Sequence, residues 1–118
     1  MADRVIFCRW DLPVPGREKA AMSAFRDSVA YCQRMLEAGE IEGHDEVLLD
    51  PHAGLGGFML VKGEGPKLAR MAADPEWIGL CVRGNVSMNG FGVLGGVTGE
   101  AGQQLLAAFQ EATAAAAE

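Results

Sequence analysis

The stretch that most constrains this chain is Arg4 to Trp10, Arg-Val-Ile-Phe-Cys-Arg-Trp. Successive side chains of a strand point to opposite faces, so Val5 and Phe7 lie on one side and Ile6, Cys8 and Trp10 on the other. Both sides are apolar. A strand of that kind is central in its sheet and covered on both faces. Whatever else the chain builds, two layers must therefore pack against this sheet. With 118 residues, 49% of them apolar, the chain holds enough for one core and too little for two ordinary ones, so residues 1–118 read as a single domain.

The remaining elements follow in order. Asp11 to Gly16, with Pro13 and Pro15, is a loop. Arg17 to Ala38 is the strongest helix, because Ala21, Ala24, Phe25, Ser28, Cys32, Met35 and Leu36 recur at three- and four-residue steps. Gly39 suits its left-handed cap. Ile41 to His52 reads as a second strand, with Val47, Leu48 and Leu49 set among charged residues, which fits an edge. Phe58 to Lys62 is a third strand, apolar on both faces, and forms a hairpin with the second. Gly65-Pro66 opens a second helix with the stripe Leu68, Met71 and Ala72, which Asp74-Pro75 closes. Leu80 to Asn89 alternates between Leu80, Val82, Gly84, Val86, Met88 and Cys81, Arg83, Asn85, Ser87, Asn89. This spacing predicts the fourth strand, its apolar side toward the helices and its polar side toward a second layer. Gly90 to Val97 is glycine-rich and fits a loop, a bulge or a further short strand. Thr98 can cap a last helix with the stripe Ala101, Leu105, Phe109 and Ala112, so residues 98–118 form a C-terminal helix and tail.

The order β-α-β-β-α-β plus a helix is the split βαβ, or ferredoxin-like, α+β arrangement. Strands one and three are central there, and strands two and four are edges. Two helices cover only one face of such a sheet, and the simplest supplier of the second layer is another copy of the chain. The expected partner is thus a homodimer.

At this point the chain resembles the dimeric α+β barrel superfamily, in which two ferredoxin-like subunits pack sheet to sheet around a cleft. The resemblance spans about residues 4–98. It rests on element order, strand polarity and Ala73-Asp74-Pro75-Glu76-Trp77, which is similar to the Asp-Pro turn of YCII-related small domains. The superfamily includes cofactor-independent monooxygenases, muconolactone isomerases, dehydratases, haem-degrading enzymes and ligand-sensing domains. The resemblance implies a small-molecule cleft, and a fold of this kind does not choose among those activities.

Composition narrows the classes. A net charge of −6 argues against a binder of phosphate backbones. No apolar run approaches the roughly 20 residues that span a bilayer. Met-Ala-Asp-Arg lacks a signal-peptide layout, so a cytoplasmic protein without membrane or nucleic-acid partners is expected. Cys8, Cys32 and Cys81 show no CxxC spacing and read as reduced thiols.

The candidate site residues are few. His44 or His52 could act as a general base with a carboxylate such as Asp50 as orienter. A shared metal is excluded for the two histidines, which lie roughly 26 Å apart along a straight strand. The bland alternative is an exposed polar edge near a turn. Arg9 and Arg83 fall on strands that neighbour each other in this fold, and with Asn85 they could hold the carboxylate of a small organic acid. They could equally form a solvated face or an inter-subunit network. Trp10, Trp77, Phe7 and Phe58 suit the core, the dimer interface or an aromatic ligand. Cys81 beside Arg83 could be a nucleophile, with a structural thiol as the plainer reading. Gly90-Phe91-Gly92-Val93-Leu94-Gly95 spells GxGxxG, but only 23 residues follow it, too few for the parallel strand and acidic residue that a dinucleotide site requires. No metal and no cofactor is expected. Two functions remain: a cofactor-independent isomerase, lyase or monooxygenase, or a non-catalytic ligand-binding or assembly module whose polar sheet face is a dimer interface.

Overall fold

The computed structural model describes residues 2–117. Its elements are β1 (Arg4–Trp10), α1 (Glu18–Glu37), β2 (Gly43–Leu48), β3 (Gly57–Gly63), α2 (Gly65–Ala72), α3 (Pro75–Ser87), β4 (Gly92–Val97) and α4 (Gly99–Ala116). The strands form one antiparallel sheet in the order β2-β3-β1-β4, which is the ferredoxin-like α+β arrangement with β1 and β3 central.

The expected two-sidedness of β1 is present in the burial. Ile6, Cys8 and Trp10 are buried under the helices, together with Met59 and Val61 of β3. On the other face lie Val5 and Phe7 of β1, Phe58 and Leu60 of β3, Val47 of β2 and Leu94 of β4. The rings of Phe7 and Phe58 meet at 5.4 Å on that side. Among the described residues no helix buries it: Val5, Phe7, Val47, Phe58 and Leu60 are half-buried, and Leu94 is 59% exposed.

One expectation fails. Leu80 to Asn89 is not the fourth strand; it forms most of α3 and its exit. Asp74 caps the helix by accepting from the Glu76 N–H at 3.2 Å, and Pro75 occupies the first turn where its missing N–H costs nothing. Asp74-Pro75, expected to close a helix, therefore also starts one. The buried residues Trp77, Leu80, Gly84 and Ser87 recur at three- and four-residue steps, while Val82 and Val86 point outward, 55% and 49% exposed. The alternating apolar set was thus split between core and solvent. The fourth strand is instead Gly92–Val97, paired with β1 through Phe7 and Leu94. GxGxxG lies on this antiparallel edge and its approach, not at a strand-to-helix turn.

The second crossover is consequently two helices. Tyr31 of α1, fully buried, donates its hydroxyl to Asp74 Oδ2 at 2.6 Å and ties α1 to the α2–α3 junction. The Arg34 guanidinium lies 5.5 Å from the Tyr31 ring centroid and pairs with Glu76. The hydrogen bond from Tyr31, and then the Glu76 N–H, hold the Asp74 carboxyl below its ordinary range. Helix α4 differs from the rest. It has no buried residue, and Leu105, Leu106 and Phe109 are 48%, 53% and 63% exposed.

Two outcomes test this arrangement. Gly79 sits exposed in α3 with nothing within 4 Å of an added Cβ, whereas a Cβ at Gly84 would overlap the Phe91 ring. Gly79→Ala should therefore raise stability in urea titration by about 0.5–1 kcal/mol through helix propensity. Gly84→Leu should lower it by about 1–3 kcal/mol through overpacking. A strand at 80–89 would give neither result. For Asp74, a depressed folded-state pKa means stability that is complete above the ordinary carboxylate range and lost as pH falls through the lower folded value. Tyr31→Phe should thus flatten the fall in denaturation midpoint between pH 5 and pH 2.

Candidate functional site

The structure separates the residues expected to work together. Arg83 projects from the outer surface of α3, where its Nη1 lies 2.8 Å from Asp27 Oδ2 and its Nη2 donates to Ser23 Oγ at 3.2 Å. Both partners belong to α1, so Arg83 clamps two helices together. Asn85 is exposed on the same helix. Arg9 lies on the uncovered sheet face, between Phe58 and Gly92. The Arg9–Arg83 carboxylate clamp is therefore corrected: the two side chains belong to opposite sides of the sheet, because Arg83 is helical. The expected dimer seam through the Arg83 face falls with it.

Arg9 has its own surroundings. Its Nη2 donates to the Gly54 carbonyl, while its Nε and Asp11 Oδ1 are buried without a protein hydrogen-bond partner. Gly90, with φ +65°, lies against both side chains, and an added Cβ there would approach Asp11 Cβ to 3.3 Å.

The histidines are apart as expected, but their roles differ. His52 is exposed in the β2–β3 loop, its Nδ1 2.8 Å from the Asp50 carbonyl oxygen. Asp50 is likewise exposed, and its backbone, not its carboxylate, meets His52. His44 faces the helices on β2. Its Nδ1 is 2.5 Å from Glu46 Oε1, and its Nε2 is 3.2 Å from Gln33 Oε1 of α1. The carboxylate orienter of His44 is thus Glu46, two residues along the same strand face. Each ring nitrogen faces an oxygen that only accepts, and His44 lies between the edge strand and α1.

An apolar cavity lies elsewhere. Between α1, α3 and the helix-facing side of the sheet is a hollow of about 130 Å³. Trp10, Phe25, Met59, Trp77, Cys81 and Phe91 are among the side chains around it. No charged side chain lines it, and Ser28 supplies its one hydroxyl, which donates to the Ala24 carbonyl at 2.7 Å. Met22 and Leu48, 51% and 70% exposed, stand where it meets solvent. Of the residues singled out in the sequence, Trp10, Trp77 and Cys81 line it; the Trp10 ring meets Phe25 edge-on at 5.7 Å. A void of that size, if left by truncating a packed core, costs about 3 kcal/mol. Small residues keep it open, namely Ala21, Ala24 and Gly84. The sequence placed Ala21 and Ala24 on a helix stripe and Gly84 on an expected strand, and had no signal for the space they leave.

The thiols suit this apolar setting. Burial, then the nearby Cys81 and Cys32, pushes Cys8 up to about 12. Burial, then the Glu46 carboxylate, pushes Cys32 up to about 12 as well. Cys81 is half-buried and raised by burial alone. A nucleophilic Cys81 helped by Arg83 is therefore not what the site offers, since the guanidinium is committed to Asp27.

Among the described residues, no group of three or more His, Cys, Asp or Glu side chains is placed to hold a metal ion, and no helix is long and apolar enough to cross a membrane. No family model and no curated protein matches the chain.

The thiol environments predict a labelling order. With iodoacetamide at pH 8 and peptide mapping by mass spectrometry, Cys81 should react first. Cys8 and Cys32, whose thiolate fractions are roughly a thousandfold lowered by shifts of that size, should react only as the protein unfolds.

Proposed function

We propose that the chain is one subunit of a homodimeric α+β barrel, an assembly and ligand-binding module of the cytoplasm. The observation that carries this reading is the uncovered sheet face, with Val5, Phe7, Phe58, Leu60 and Leu94 in register across its strands. Four strands about 4.8 Å apart and about 20 Å long offer a face of roughly 400 Å² before side-chain relief is counted. Together with the apolar residues of α4, that approaches the roughly 800 Å² per partner of a standard interface. An 18-residue helix with no buried side chain is marginal alone in water and gains from a second copy to lie on. The seam is apolar, in place of the polar one the sequence suggested. The cleft at its rim would take a small organic acid or aromatic molecule, with the Arg9 guanidinium supplying the cation.

The catalytic alternative, a cofactor-independent isomerase, lyase or monooxygenase, has less behind it. His44 has both nitrogens occupied, His52 and Asn85 are exposed, and Arg83 is paired with Asp27. Light scattering at about 10 μM should give twice the chain mass, and Leu94→Glu should halve it while leaving circular dichroism intact. A wild-type monomer at that concentration sinks the reading.

A further inference from the structure

The hollow beneath the helices lies on the side of the sheet opposite the proposed seam and is built within one chain. We propose that it is a binding site for one small, uncharged, apolar molecule of about single-ring size. The chemistry of its wall selects that class. A charged ligand would lose its hydration there and meet no counter-charge, because every side chain around the hollow is neutral. The hydroxyl of Ser28 already spends its proton on Ala24. Two tryptophans and two phenylalanines, Trp10, Trp77, Phe25 and Phe91, offer ring faces and edges. Met22, Met59 and Met88 add polarizable thioethers that conform to an aromatic guest. The raised thiols of Cys8 and Cys81 remain neutral and behave as apolar wall.

Size and access agree with that class. A cavity of about 130 Å³ is close to the roughly 150 Å³ known to accept benzene when lined by aliphatic and aromatic groups. Met22 and Leu48 are exposed, so a guest enters past unbranched or mobile side chains without unfolding a helix.

Toluene is the probe, with benzoate as its charged counterpart. In methyl-resolved NMR, toluene should shift Met22, Met59 and Met88 saturably, and benzoate should bind at least tenfold more weakly. Ala24→Leu, which fills the hollow from α1, should weaken toluene at least tenfold while the fold persists. Should that variant fail to fold, Met22→Trp at the exposed margin should slow or block binding instead. Leu94→Glu should bind toluene as the wild type does, which separates this site from the dimer seam. The proposal is overturned by an unsaturable wild-type response, by benzoate binding as tightly as toluene, or by unchanged binding in a folded Ala24→Leu protein. Shifts confined to the methyls of Val5 and Leu60, on the opposite sheet face, would also overturn it. Toluene binding that appears only in Phe109→Asp would do so too, by giving the hollow to α4 of a second copy.

Discussion

The hydrogen bond from Tyr31 to Asp74 is the joint on which the helical layer depends. It is made by a fully buried phenol from the middle of α1 and a carboxylate that begins α3. Burial above all, then the carboxylate, holds the phenol in its neutral form, so it keeps the proton that it donates; the carboxylate is kept charged, so it can only accept. That complementarity fixes where α3 starts. From there the helical period places Trp77, Leu80 and Gly84 over the sheet, and the Arg83–Asp27 and Arg34–Glu76 pairs trim the outer surface. At the far end, the Arg17 side chain reaches the Val86 carbonyl, and backbone bonds join Asp11 to Asn89 and Val14 to Ser87. The helix is thus held at both ends while its middle stands off from Trp10 and Phe25, around the hollow.

Much of the fold was legible because its signals were redundant. β1 announced itself through two apolar faces, and α1 through a stripe about four turns long that reappears as buried Ala21, Ala24 and Cys32. Residues 80–89 misled because their apolar and small positions satisfy a period of two as well as a helical one. Leu80 and Gly84 belong to both patterns. Val82 and Val86, β-branched and exposed, tilted the reading toward a strand that the cap at Asp74 and the proline after it overrule. β4 was hard to see for the opposite reason. Gly92, Gly95 and Gly96 give it little strand propensity, yet a Cβ at Gly96 would come to 3.1 Å of Val5 Cγ2, where a larger side chain would crowd the central strand.

The site was legible only in fragments. Polar residues stand out in a sequence, so histidines and arginines drew the functional reading, and the structure spends most of them on joining elements. His44 ties an edge strand to α1, and Arg83 ties α3 to α1. A hollow is a property of what neighbouring side chains leave unfilled, and it comes from alanines and a glycine that carry no chemical label. Trp10 and Trp77 were the residues whose aromatic character pointed to it.

The wall of that hollow is drawn from Cys8 at one end of the chain to Phe91 near the other, with contributions from both central strands, an edge strand and two helices. Its shape exists only when all of them are assembled. A molecule seated there binds the native state and has no comparable place in the unfolded chain. Its concentration is therefore linked to the folding equilibrium of the whole domain, and occupancy acts as a cooperative ballast on every element at once rather than as a local brace.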